Sequence, residues 1–198
     1  MHDARAVRLR DMLERGDDVA RPRGLAEIEM DAALYARPAL VGNALYVSDS
    51  RADSIYKIEP ADFLNARTPK ITKVLQPGKS VDPNGLWPAK DGSLLIAGFK
   101  SDKDKRALFA MDKKGEVKKL SEDIGRLDGL YQMPDGTILA TNWDAGELFA
   151  WSEKGGKQTI ASNFKGPADF CVVPMPSGTL IVVPDLVKSE LRFIKLAK

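Results

Sequence analysis

Asp128-Gly129-Leu130-Tyr131-Gln132-Met133-Pro134-Asp135-Gly136-Thr137-Ile138-Leu139-Ala140 decides the fold, because the chain writes nearly the same phrase three times. The earlier copy is Asn84-Gly85-Leu86-Trp87-Pro88, followed by Asp91-Gly92-Ser93-Leu94-Leu95-Ile96-Ala97. The later one is Asp169-Phe170-Cys171-Val172-Val173, followed by Ser177-Gly178-Thr179-Leu180-Ile181-Val182-Val183. Gly92, Gly136 and Gly178 are spaced by 44 and 42 residues. A period of roughly 40–50 residues with several short strands per unit is the mark of a β-propeller. That architecture sets the same position of every blade around one channel. The polar residue opening each phrase, Asn84, Asp128 or Asp169, therefore falls where ligands bind.

Outward from the phrase, each unit has the same plan. Turns at Gly42-Asn43, Asp91-Gly92, Asp135-Gly136 and Ser177-Gly178 lead into apolar strands at 45–48, 94–97, 138–141 and 180–183, since Gly and Asn accept the backbone of tight turns. A polar loop and a second strand follow, at 54–58, 107–111, 147–151 and 190–194. Tyr56, Phe109, Phe149 and Phe193 recur there and predict packing between blades rather than a stacking platform for nucleotides. Short outer strands are predicted at 71–75, 117–120 and 158–161. The expected fold is all-β, about three and a half four-stranded blades, against the ~4 to 8 of a closed ring. Open ends predict exposed sheet faces, hence self-association through blade faces.

Composition changes near residue 40. Residues 1–40 hold seven arginines and no lysine, whereas 41–198 hold five arginines and eighteen lysines. The sequence divides there into an N-terminal segment, 1–40, and the blades, 41–198. Residues 4–15 predict a short helix with Leu9, Met12 and Leu13 on one side, stopped by Gly16. Two readings of this segment stand: an appendage packed on the blades, or a truncated start running through unrelated sequence.

A formal charge of +2 with interspersed signs implies no attraction to nucleic acid or anionic lipid. No apolar run reaches the ~20 residues of a membrane span, and the start lacks the apolar core of a secretory signal. The expectation is a soluble chain, cytoplasmic as written, with a periplasmic or secreted full-length form also open. Cys171, the one cysteine, lies in an apolar run that reads as a buried strand. The single histidine, His2, lies outside the repeats, so they hold no base for a Ser-His-Asp or Cys-His mechanism. There is no Cys/His cluster for zinc, and Gly155-Gly156 reads as a turn between strands. Asn142, Trp143 and Asp144 read as filling an inter-blade loop, with a place at the channel mouth as the alternative.

With Pro83-Asn84-Gly85-Leu86 and Leu127-Asp128-Gly129-Leu130, each followed at fixed distance by an Asp-Gly turn, the chain resembles the regucalcin and gluconolactonase-like superfamily of six-bladed propellers. Leu45-Tyr46-Val47-Ser48-Asp49-Ser50 with 54–58 resembles a blade of the same group. The resemblance covers about residues 41–198. It implies a divalent cation, Ca²⁺ or Mg²⁺, held in the channel by Asn84 and Asp128, with Asp128 also the base in lactone hydrolysis. Asp169 adds a third candidate ligand, a second carboxylate, by internal symmetry. The first-blade glutamate of the family's site has no counterpart here, so little hydrolysis is expected from this chain.

The residues on their own are compatible with that chemistry. An all-oxygen set suits a hard cation, which can polarise a lactone or ester carbonyl while a carboxylate accepts a proton from water. Asn and Asp before Gly also serve simply as turn residues that bond their own backbone. Two classes of function therefore stand: a metal-dependent lactone or ester hydrolase, or a non-catalytic propeller binding a small molecule or a protein.

Overall fold

The computed structural model describes residues 38–60, 70–75, 80–100 and 105–196, and every regular element in them is a strand. Four antiparallel sheets follow one another along the chain. The first contains β1 (Pro38–Val41), β2 (Ala44–Asp49), β3 (Ser54–Glu59) and β4 (Lys70–Leu75). The second contains β5 (Pro83–Pro88), β6 (Leu94–Gly98), β7 (Leu108–Met111) and β8 (Val117–Lys119). β9 (Leu127–Gln132), β10 (Ile138–Asn142), β11 (Glu147–Ser152) and β12 (Gly156–Ala161) form the third. The last is three-stranded: β13 (Cys171–Met175), β14 (Gly178–Asp185) and β15 (Glu190–Leu196). Within each sheet the strands lie side by side in sequence order, which is the up-and-down meander of a propeller blade. These are consecutive blades of a partial β-propeller.

The repeated phrase supplies the first hairpin of its blade. Ile138 pairs with Gln132 and Leu139 with Tyr131, so the Asp135-Gly136 turn closes β9 onto β10. Two of these turns are tied by their own aspartate: the Asp91 carboxylate accepts from the Ser93 N–H at 2.9 Å and the Asp135 carboxylate from the Thr137 N–H at 2.9 Å.

Apolar residues on the blade faces meet between successive sheets in three clusters. Ile55 and Leu75 pack with Leu86, Ile96 and Phe109. Leu95, Ala97 and Leu108 pack with Leu130, Ala140 and Phe149. Leu139 and Leu148 pack with Phe170, Ile181 and Val183. The core is thus a series of sandwiched seams rather than one central cluster, as stacking of repeats requires.

Several expectations land differently. The helix predicted at 4–15 and the segment carrying His2 lie outside the described residues, and β1 straddles the compositional break at residue 40. Cys171 is on a strand as expected but exposed, because it stands on the face of the last sheet turned away from the third. Phe193 is 67% exposed. Its place differs from that of Phe149 by one residue: Glu147 pairs with Asn142 and Glu190 with Asp185, so Phe149 corresponds to Arg192. A one-residue offset in a strand puts the side chain on the opposite face.

Candidate functional site at the channel mouth

Antiparallel pairing places four features of each blade on one rim. These are the start of the first strand, the end of the second, the start of the third and the connector entering from the previous blade. Asn142 faces Leu127 across β10–β9 and Glu147 across β10–β11, and Pro83 faces Gly98. Asn84 and Asp128, the second residues of β5 and β9, and Asp169, two residues before β13, all stand on this rim.

The structure brings the three opening phrases together. A methyl group added at Gly85 would lie 2.1 Å from the Asp128 carbonyl oxygen, and one at Gly129 would lie 3.0 Å from the Asp169 Cα and 2.6 Å from the Phe170 ring. Each glycine therefore marks where the next inner segment presses on the one before it, and no side chain fits between. Asn84 meets the neighbourhood of Asp128, and Asp128 that of Asp169.

The side chains differ in how they are held. Asn84 is 3% exposed, and its Nδ2 has no hydrogen-bond partner. Its backbone carbonyl is occupied, accepting from Ser48 Oγ at 2.7 Å across the blade joint. A buried donor left unpaired costs about 1–3 kcal/mol, so this group has binding capacity that the described residues do not use. Asp128 and Asp169 are half-buried. Asp169 Oδ1 accepts from the Phe170 N–H at 2.8 Å, a local bond of the turn-forming kind. Thr141 Oγ1 accepts from the Gly129 N–H at 2.8 Å and donates to the Ala168 carbonyl at 3.0 Å, tying the second phrase to the third.

Asn142, Trp143 and Asp144 fill the joint between blades. Asn142 is buried and donates to the Ile124 carbonyl at 3.1 Å and to Glu147 Oε1 at 3.2 Å. The Trp143 ring meets Phe99 edge-on at 6.5 Å and covers Gly166. Asp144 pairs with Arg126, whose Nε donates at 2.8 Å and whose guanidinium lies 5.1 Å from the centre of the Phe99 ring.

Three groups on the rim were not singled out in the sequence. Arg126 stands two residues before Asp128, and Asp53 and Asp185 receive backbone N–H groups from the connectors. For Asp185 a signal was available, since Asp49, Asn142 and Asp185 all end the second strand of their blades. The Arg126–Asp144 pair, separated by 18 residues, left none.

The residues that open the three phrases, one amide and two carboxylates, each carry an oxygen donor, which fits a hard cation in kind. Among the described residues, no group of three or more His, Cys, Asp or Glu side chains is placed to hold a metal ion. Two carboxylates and one amide match the sparse protein ligation of Mg²⁺, which keeps several waters, better than the six to eight oxygens of Ca²⁺. Two clefts, of about 670 Å³ and 590 Å³, lie away from this rim and are lined by the turns at 42–43, 91–92 and 135–136. No described helix is long and apolar enough to cross a membrane.

No protein-family model and no curated protein matches the chain. Solved structures do. A virginiamycin B lyase from Staphylococcus aureus superposes with a TM-score of 0.55 at 14% identity, over 85% of this chain and 57% of the lyase. A protein classed as a gluconolactonase gives a TM-score of 0.57 at 15% identity, over 85% of this chain and 66% of its own. A chain of the nidogen/laminin complex also gives 0.57, at 14% identity, over 80% and 62%. The chain spans less than two thirds of the length of each of these. At such identities the likeness shows the fold alone: four consecutive blades with a propeller fold like that of the gluconolactonase and virginiamycin B lyase structures.

Proposed function

We propose that the rim binds a divalent cation, Mg²⁺ or Ca²⁺, through Asn84, Asp128 and Asp169, and that these blades carry part of the site of a lactone- or ester-cleaving propeller. The observation that carries the reading is the buried Asn84 Nδ2, without a hydrogen-bond partner, on an inner strand pressed against the Asp128 backbone. The two atoms of an amide exchange places by a flip, so the same pocket can present an oxygen to a cation. Such a cation supplies Lewis-acid polarisation of a lactone or ester carbonyl. Asp128 takes the proton of the attacking water, Asn84 fixes the polar end of the ligand, and Asp169 adds negative charge at the same mouth. Retention of the cation by three side chains is weak and the site stays open to water, so turnover by this chain is expected to be low.

The experiment is calorimetric titration of the purified chain with MgCl₂ and CaCl₂, with Asn84→Ala and Asp128→Ala beside it, followed by a lactone and ester screen. Saturable binding abolished in both variants supports the reading. Binding unchanged in both, or none in the parent chain, refutes it. The second reading, a non-catalytic module for a small polar molecule or a protein, is favoured by the bond from the Phe170 N–H to Asp169, which gives that carboxylate a turn-forming use. An absence of cation binding would leave this second reading standing.

A further inference from the structure

We propose that Asp53, Asn142 and Asp185 are positioning residues, each clasping the connector that delivers one of Asn84, Asp128 and Asp169 to the channel mouth. The inference rests on the reading of those three as the site. A connector enters each inner strand from the rim of the previous blade, and isolated backbone pairs such as Gly125 with Arg106 and Pro167 with Asp185 satisfy only some of its polar groups, which leaves the others to side chains.

Asp53 meets this need for the connector before Asn84. Its Oδ2 accepts from the Ser80 N–H at 2.9 Å, and its Oδ1 from the Val81 and Asp82 N–H groups at 3.1 and 2.7 Å. Ser80 and Asp82 hold left-handed backbone, φ 55° and 46°, and so does Asp53 at 44°. Such conformations persist only where surrounding bonds impose them. The Arg106 guanidinium pairs with Asp82 from the next blade, so the connector is gripped from both sides two residues before Asn84.

Asp185 does the same before Asp169. Fully buried, it accepts from the Lys165 N–H at 2.7 Å, the Gly166 N–H at 3.0 Å and the Lys188 N–H at 3.3 Å. Burial alone would push its carboxyl pKa up, but the N–H groups of Lys165, Lys188 and Gly166 outweigh it and hold the group ionised below the usual carboxylate range.

The connector before Asp128 offers a carbonyl instead of N–H groups, and the clasp changes residue type to match. Asn142 donates its amide to the Ile124 carbonyl at 3.1 Å. Glu147 orients that amide, and is itself held by Thr159 Oγ1 at 2.7 Å and by the Lys157 ammonium. Donor faces carbonyl and acceptor faces N–H in all three clasps, and each clasp grips its connector two to four residues before its site residue.

Isosteric changes test the assignment: Asp53→Asn, Asn142→Asp and Asp185→Asn each turn a matched contact into a mismatched one with little change of shape. The readouts are the ¹⁵N–¹H NMR signals of residues 84, 128 and 169, and Mg²⁺ affinity by calorimetry. Each variant is expected to move the signals of its own partner and leave those of the other two, and to weaken Mg²⁺ binding by about tenfold. Asp135→Asn, in a turn on the opposite rim, leaves both readouts unchanged. Signals that move equally at all three sites, or do not move at the partner, overturn the proposal. If the parent chain does not bind Mg²⁺, the cation reading falls while the NMR pattern still decides the clasps. Should Asp185→Asn fail to fold, Asp185→Ser keeps one acceptor without the charge and is read the same way.

Discussion

The third sheet and the last sheet are written alike and surrounded differently. Leu148 and Leu191 stand at the same place in their blades, after Glu147 and Glu190, yet Leu148 is 0% exposed and Leu191 59%. The neighbour makes the difference: Leu148 faces Phe170, Ile181 and Val183 of the next sheet, and no described sheet lies beyond Leu191. Val173, Met175 and Phe193 are exposed on the same sheet. A blade is therefore half of two interfaces, and its apolar pattern states which residues can be buried without stating what buries them. The large exposed apolar side chains among the described residues belong to the first and last blades, the two ends of the series, with Leu186 and Val187 in the β14–β15 turn and the others on strands.

Removing side chains should separate the two sheets most sharply. Leu148→Ala is expected to cost about 2–5 kcal/mol in chemical denaturation, the range for a buried leucine leaving a cavity, while Leu191→Ala stays within about 0.5 kcal/mol. Equal losses would mean that the last face is covered in solution, and a concentration-dependent mass by light scattering would identify self-association as the cover. Gly85→Ala is expected to follow at about 2–3 kcal/mol, because the Asp128 carbonyl occupies the space of the new methyl. It should also weaken cation binding, whereas Gly136→Ala, with nothing within 4 Å, changes stability only through its positive φ.

The paired glutamates give a smaller contrast. Glu147 is buried in its network with Lys157, Thr159 and Asn142, so Glu147→Gln should cost about 1–2 kcal/mol, against no measurable change for the exposed Glu190→Gln. Burial pushes the Glu147 carboxyl up, but hydrogen bonds from Lys157 and Thr159 and the lysine charge bring it below its ordinary 4.5. A lowered folded pKa means a contribution present in full above about pH 4.5 and lost as pH falls through the folded value. Acid titration of stability should therefore be shallower in Glu147→Gln than in the parent chain. The smallest effect is chemical: Cys171, exposed on the last sheet, should react with a thiol reagent in the native protein at close to its rate in the unfolded chain.

Much of the fold was legible because propeller blades are local. Each strand pairs with the next in sequence, so turn residues and alternating apolar runs were enough to place the hairpins around Asp91-Gly92, Asp135-Gly136 and Ser177-Gly178. The one-residue error at Phe193 shows where that logic ends. Aromatic recurrence along the strand carries no register, which the pairing of Glu190 with Asp185 sets. Cys171 fails for a related reason, since an apolar strand names a candidate for burial and only the neighbouring sheet supplies it.

On the rim, Asn84, Asp128 and Asp169 were visible as a recurring position, whereas their contacts were not. The Arg126–Asp144 pair and the clasps made by Asp53 and Asp185 join residues about 18 to 29 apart through loops of unequal length, where no periodic signal survives.

By itself the sequence determined the β class, the hairpins, the repeat length and the set of polar residues opening each inner strand, because these depend on contacts within one blade. The tertiary structure alone decided which apolar faces are buried, how closely Gly85 and Gly129 admit the neighbouring phrases, and that the Asn84 Nδ2 is left without a partner. Those outcomes depend on how one blade leans on the next, and that packing is set by side chains far apart in the chain.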